Sequence, residues 1–142
     1  MKALTAREAA VFGSLVEAYC RPGPPLPPVS ATDAIAFVDR LAAGSRRLNR
    51  VVFKLILRLI DVAPFVAGER ARFTRLEPDR RARFVNRLDD SRLQLLPILS
   101  KLLKTLALVS YYGDLEVLRA TGYDPEANVA RGRALREREG RP

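Results

Sequence analysis

The segment from Leu48 to Ile60 places the strongest constraint on what this chain can fold into. Its apolar residues recur at intervals of three and four, which is the period of one face of an α-helix and not the two-residue alternation of a strand. The stripe consists of Leu48, Val51, Val52, Leu55, Ile56, Leu59 and Ile60. The pattern predicts an amphipathic helix that buries this stripe in a protein core.

The opposite side of the same predicted helix is basic. It carries Arg47, Arg50, Lys54 and Arg58, again three or four residues apart. Like charges at that spacing repel one another by about 0.2–0.5 kcal/mol per pair in an isolated helix. Two interpretations stay open: the face is solvated and screened by salt, or an acidic partner relieves the repulsion. On the second interpretation, Arg50, Lys54 and Arg58 form a candidate partner-binding patch.

Helix-start signals indicate further helices on both sides of this segment. Thr5-Ala6-Arg7-Glu8 has the spacing of a capping box, and either Ser30 or Thr32 is suited to cap a second helix. Pro78 fits the first turn of a fourth helix, where its missing N–H does no harm. No segment shows the alternation of a strand, so we expect an all-α fold.

Proline and charge divide the chain into regions. The stretch from Arg21 to Pro28 contains five prolines and one glycine in eight residues, so it must be an extended connector after the first helix. We expect one domain, residues 1–124, built as a bundle of about five to six helices. Residues 125–142 are predicted to be a charged tail that cannot bury a core of its own.

The fifth predicted helix, Arg92 to Tyr112, is apolar on most of its circumference. Pro97 must kink this helix or mark a late start. A helix that is apolar over so much of its circumference is typically the central helix of a bundle, or one whose second apolar face binds a partner. Lys101 and Lys104 would each cost about 3 kcal/mol near the centre of a bilayer, so we predict no transmembrane span, with contact at a membrane surface left open.

The composition argues against catalysis. The 142 residues include no histidine, no tryptophan and one cysteine, Cys20, so the usual metal ligands, general bases and thiol pairs are nearly missing. We predict a protein that is not an enzyme and has no cofactor or metal of its own. The net charge of +9 leaves two partner classes open, nucleic acid or an acidic protein surface.

The sequence from Tyr111 to Asp124 predicts a short helix between two turns. Gly113 ends the preceding helix, Asp114 can cap the next, and Gly122 supplies a left-handed residue that stops it. Three tyrosines surround this helix. They either complete the core or form an aromatic docking corner; the candidate partner-binding residues here are Tyr111, Tyr112, Gly113, Asp114, Gly122 and Tyr123.

Several motifs follow one another in a fixed order along the chain. They are Leu4-Thr5-Ala6-Arg7-Glu8, Phe73-Thr74-Arg75-Leu76-Glu77-Pro78-Asp79-Arg80-Arg81, Asp90-Ser91-Arg92, Leu106 to Tyr112, Tyr111-Tyr112-Gly113-Asp114 and Thr121-Gly122-Tyr123-Asp124-Pro125. In this order they resemble the gluconate 2-dehydrogenase subunit 3 family, whose small helical subunits accompany flavin-dependent glucose-methanol-choline (GMC) oxidoreductases. A related helical region begins the long-chain alcohol oxidases. In the family, the pair Gly-Tyr is followed by Gly-Pro. In this chain, Gly122-Tyr123 is followed by Asp124-Pro125-Glu126.

The resemblance implies a partner. It predicts a non-catalytic subunit that stabilises, helps fold or helps deliver a larger oxidoreductase chain, with FAD bound by that larger chain. The alternative function is a basic helical module that binds nucleic acid through residues 47–58 and the arginine-rich tail. Family members often carry an export signal, and the amino terminus here has no such pattern, so we expect a cytoplasmic protein that could join the cell envelope through its partner.

Overall fold

A capping box starts the first helix, α1 (Ala6–Cys20), as the sequence predicts. The Thr5 hydroxyl accepts a hydrogen bond from the Glu8 N–H at 3.3 Å, and the Glu8 carboxylate accepts one from the Thr5 N–H at 2.9 Å. These bonds satisfy two N–H groups that the first turn leaves without partners. Arg21, in the left-handed region with φ 46°, ends the helix before the prolines begin.

The computed structural model describes residues 2–138 and 140, and in that part of the chain seven α-helices and no strand are present. The helices after α1 are α2 (Ala34–Gly44), α3 (Arg47–Pro64), α4 (Pro78–Asp89), α5 (Leu95–Tyr112), α6 (Leu115–Ala120) and α7 (Pro125–Arg138). The predicted all-α single domain is confirmed. The number of helices slightly exceeds the expected five to six, because the tail contributes α7.

Helix α1 is the centre of the bundle. It contacts α2, α3, α4 and α5, and its inward residues Phe12, Leu15 and Val16 are completely buried. Other fully buried side chains reach this core from α3, α5, α6 and the short 3₁₀ turn Phe73–Arg75. They include Leu57, Phe73, Leu103, Tyr111 and Val117.

Most of the helix ends and starts that involve proline or glycine lie where the sequence predicts them. Helix α3 ends at Pro64 and is followed by one turn of π-helix, Phe65–Glu69, in which Gly68 has φ 89°. Pro78 occupies the first turn of α4. Helix α5 starts late, so that Pro97 falls in its first turn and leaves its hydrogen-bond ladder intact.

The predicted cap of α2 is wrong. Neither Ser30 nor Thr32 caps this helix, because the chain makes a 3₁₀ turn (Val29–Ala31) and α2 begins only after Asp33, which makes no side-chain cap. The Thr32 hydroxyl instead donates to the Val29 carbonyl at 2.8 Å. The backbone N–H of Asp33 donates to the Asp114 carboxylate, which ties the start of α2 to the start of α6.

Three carboxylates lie buried between the helices, and each has partners. Glu8 on α1 pairs with Lys54 at 3.3 Å and with Arg58 at 2.9 Å, both on α3. Asp61 on α3 accepts from Arg7 of α1 at 2.7 Å. These ion pairs join α1 to α3 along a polar seam, as a buried carboxylate requires.

Asp39 on α2 binds the amino-terminal segment. Its carboxylate accepts hydrogen bonds from the backbone N–H groups of Lys2, Ala3 and Leu4. These bonds hold the pKa of Asp39 down, from the usual 3.8 to about 2. The bonds therefore anchor residues 2–4 against α2 as long as the carboxyl group is ionised.

The expectation that α3 buries its whole apolar stripe is wrong, since of its seven residues only Ile60 is buried and Ile56 half-buried. Leu48, Val51, Val52, Leu55 and Leu59 are all exposed, by 72%, 55%, 46%, 54% and 60%. The side that faces the bundle contains Leu57, Ile60 and Asp61, with Lys54 beside them. The helix has this orientation because Glu8 of α1 binds Lys54 and Arg58 of α3, and Arg7 of α1 binds Asp61 of α3, so that most of the apolar stripe faces outward.

We predict that Glu8→Gln destabilises the fold by about 1–2 kcal/mol. Glutamine preserves the capping box but removes the charge that Lys54 and Arg58 neutralise. The free energy of unfolding in urea measures the loss. Glu116→Gln is the matched control, because its partner Arg119 lies on the surface and that pair should contribute less than about 0.5 kcal/mol. Equal effects of the two changes would contradict the assignment.

Acid should weaken the structure through Asp39. A carboxyl group whose pKa is lower in the folded chain contributes stability above its unfolded pKa and loses it as the pH falls through the folded one. Stability should therefore decline between about pH 4 and pH 2. Thermal unfolding across this range should show a shallower decline for Asp39→Asn, which has no charge to lose. An unchanged slope would refute the role of Asp39.

Candidate partner-binding surface

An apolar stripe runs along the outer side of α3. It comprises the five exposed residues named above from Leu48 to Leu59, and it continues through Val62 to Phe65 and Val66. From Leu48 to Val62 the helix rises about 21 Å. The stripe contains no acidic residue, since the only carboxylate of α3 is the buried Asp61.

Helix α5 exposes a second apolar row. Leu95, Ile98, Leu102 and Val109 are each more than half exposed. An apolar groove of about 310 Å³ is lined by α2, α3 and α5. It is lined by Phe37 and Leu41 of α2, Phe53 and Ile56 of α3, and Leu102, Leu103, Thr105, Leu106 and Val109 of α5. We call the stripe, the row and the groove together the apolar face.

The predicted basic patch is engaged within the chain. Arg50 donates to the carbonyl groups of Ala42, Ala43 and Ser45, which closes the carboxyl end of α2. Lys54 and Arg58 bind the Glu8 carboxylate, and Lys54 also donates to the Ala3 carbonyl at 3.1 Å. Their repulsion is thus relieved by an internal acid rather than by an external one.

Tyr111 belongs to the core, which corrects its prediction as a contact residue. The side chain is completely buried, and its hydroxyl donates to the carbonyl of Pro27 in the proline-rich connector. Burial raises the pKa of Tyr111, so it stays protonated. Tyr112 packs edge-on against its ring with centroids 5.2 Å apart and is 37% exposed. Tyr112 is exposed enough to contact a partner, and the buried Tyr111 ring holds the Tyr112 ring in place.

The predicted cap and turn residues of the segment Tyr111 to Asp124 are confirmed. The Asp114 carboxylate accepts from the N–H of Glu116 at 2.9 Å and caps α6. Gly122 has φ 78°, the left-handed value expected where α6 stops. At Gly113 a side chain is excluded, because a Cβ atom there would lie 2.6 Å from the Val109 carbonyl oxygen. Tyr123, beyond Gly122, is about half exposed.

The predicted site residues thus fall into two separate groups. Tyr112, Gly113, Asp114, Gly122 and Tyr123 lie together at the α5–α6 joint. The basic residues of α3 contact α1, α2 and the amino-terminal segment instead. The exposed residues of α3 were missed, because the periodicity of an amphipathic helix shows that it has two faces and not which one turns inward.

The one cysteine of the chain, Cys20, is buried. Burial raises the pKa of the Cys20 thiol to about 11, which keeps it protonated and unreactive. Among the residues described, no group of three or more histidine, cysteine, aspartate or glutamate side chains could hold a metal ion. The connector and the start of α4 line a cleft of about 680 Å³, where Arg81 already pairs with Glu17.

By length and composition alone, one helix in the described residues, Leu95–Tyr112, is apolar enough to cross a membrane. That helix is α5, which also contacts α1, α2, α4 and α6. A core helix of a bundle has the same composition as a membrane span, so this property alone does not distinguish them.

Comparison of the chain with family profiles, with curated proteins and with solved structures gives no match in any of the three.

We predict that Tyr111→Phe destabilises the protein by about 1 kcal/mol, because it removes the hydrogen bond to Pro27 and leaves that carbonyl without its partner. Tyr112→Phe is the matched control and should change stability by less than about 0.5 kcal/mol. Urea unfolding measures both. If the two variants are equally stable, the connector is not fixed by Tyr111.

Proposed function

We propose that this protein is a non-catalytic accessory subunit of an FAD-dependent GMC-type oxidoreductase. The observation that carries the proposal is the apolar face of α3, α5 and α2. Monomeric soluble proteins seldom expose large apolar patches, whereas the interfaces of permanent complexes are rich in apolar side chains. The order of motifs along the chain suggests the type of partner.

In this proposal the larger chain binds the FAD and performs the oxidation. The small subunit contributes no catalytic group and covers an apolar surface of the larger chain, which stabilises it or helps it to fold. The exposed aromatic residues of the corner, Tyr112 and Tyr123, form a second point of contact beside α6.

The nucleic-acid alternative has less support. Phosphate binding would need a row of free cations on α3. Lys54 and Arg58 are neutralised by Glu8, and Arg50 binds the carbonyl groups at the end of α2. The exposed surface of α3 is therefore mainly apolar, with Arg47 and the paired Arg58 as the cations at its edge.

Purification of the tagged chain from its native cell tests the proposal. We expect a larger polypeptide to co-purify in stoichiometric amount and to show the yellow absorbance of bound flavin. Leu55→Asp, on the apolar face, should reduce its recovery at least about tenfold, which corresponds to 1.4 kcal/mol of binding energy. Leu135→Asp is the matched control, because Leu135 is equally exposed but lies on α7.

Two results would contradict the proposal. One is a monodisperse monomer without flavin. The other is a co-purifying flavoprotein whose recovery is the same for Leu55→Asp and for Leu135→Asp, because the apolar face would then have no part in binding it.

A further inference from the structure

The cleft between the proline-rich connector and the start of α4 has the size of a small-molecule site. Its volume is about 680 Å³, and such sites usually measure roughly 300–1,000 Å³. Its apolar lining includes Ala18 of α1, Leu26 and Val29 of the connector, and Pro78 and Ala82 of α4. Ala18, Val29 and Ala82 are each less than a tenth exposed and form the floor. The cleft shares no residue with the apolar face.

The connector wall of this cleft is held in place by the rest of the fold. Val29 is buried in the core, and the Tyr111 hydroxyl donates to the Pro27 carbonyl. A turn closed by a hydrogen bond of 2.8 Å from the Leu26 N–H to the Gly23 carbonyl shapes the segment between them. Because proline also fixes its own φ, a ligand has little backbone freedom to remove on binding. The cleft is therefore preformed.

The cleft contains one largely buried cation. The Arg81 side chain is only 14% exposed, and its Nε donates to the Leu76 carbonyl at 2.9 Å, which fixes the orientation of the guanidinium group. Its Nη1 donates to the Glu17 carboxylate, and its Nη2 has no hydrogen-bond partner among the residues that the structure describes. A guanidinium group fixed in this way can hold a carboxylate through two N–H groups at once.

The other charges that line the cleft are exposed. Glu17, the partner of Arg81, is 51% exposed, so its carboxylate can leave the guanidinium group for water at little cost. Arg21 and Asp79 are exposed and opposite in sign, so that solvent and salt screen them. The buried charge of Arg81 therefore has the largest influence on which ligand charge the cleft accepts.

We infer that this cleft binds a small monocarboxylic acid with an apolar body. The carboxylate of the ligand replaces Glu17 on Nη1 and Nη2 of Arg81, and the apolar body covers Ala18, Val29 and Ala82. Glu17 is then an internal competitor, which neutralises Arg81 in the absence of the acid. This site goes beyond the proposed accessory role and does not depend on it.

Three probes of equal chain length test the charge of the ligand: hexanoate, hexanol and hexylammonium. NMR titration of the full chain should show hexanoate binding at least about tenfold more tightly than the other two, with a Kd of about 1 mM for a ligand of this size. The largest shifts should lie at the backbone amides of Ala18, Gly23 and Ala82. Tightest binding of hexylammonium, equal affinity for all three probes, or shifts confined to the apolar face would overturn the inference.

Replacing the competitor gives a result that loss of structure cannot imitate. Glu17→Gln should tighten the binding of hexanoate at least about threefold, because Arg81 then has no internal carboxylate to release. Glu116→Gln is the matched control, since it removes the same charge from a surface pair on α6 and should leave the affinity unchanged. An affinity that Glu17→Gln leaves unchanged, or weakens, would show that the acid does not replace Glu17.

Replacing the cation should remove the preference for the acid. Arg81→Gln should bind hexanoate and hexanol with equal affinity. Arg80→Gln is the matched control on the same helix, because Arg80 pairs with Glu69 outside the cleft, and it should keep the preference. A preference for hexanoate that survives Arg81→Gln would overturn the inference. The comparison of Glu17→Gln with Glu116→Gln decides the matter by itself if Arg81→Gln does not fold.

Discussion

The pairing of the buried Glu8 carboxylate with two cations of α3 is the interaction on which the arrangement of this protein depends. Glu8 sits on the central helix, 2% exposed, and Lys54 and Arg58 are its counter-ions. Burial alone would raise the pKa of Glu8, but hydrogen bonds with Thr5 and Lys54 outweigh it and leave the pKa below its usual value. Turning α3 by half a circle would bury the exposed part of its apolar stripe but take Lys54 and Arg58 away from the buried Glu8, at several kcal/mol for that ion.

The opposing contribution is the apolar stripe that stays exposed on α3. Full burial of an exposed leucine or valine is worth about 1.5–3 kcal/mol, but a half turn of α3 would in exchange expose the buried Leu57 and Ile60. A partner that covered the apolar face, as proposed, would bury the stripe and leave the ion pairs of Glu8 intact.

Much of the fold follows from local signals that can be read in the sequence. Thr5 and Glu8 are close enough along the chain to cap α1 by themselves, and Pro78 and Gly122 act through their own backbone preferences. The first helix, the connector, the corner turn and the all-α class are therefore predictable. The cap of α2 was missed because the alternative, a 3₁₀ turn at Val29, depends on burial of that residue against the core.

The candidate surface was only partly predictable. The sequence determined by itself that α3 has an apolar side and a charged side, because that depends on the 3.6-residue period alone. Which side turns inward was decided only in the tertiary structure, since it depends on the distant Glu8 and Arg7 meeting Arg58 and Asp61. Likewise, the spacing of Tyr111 and Tyr112 indicated an aromatic corner, but only the packing of the connector on α5 buried one ring and left the other exposed.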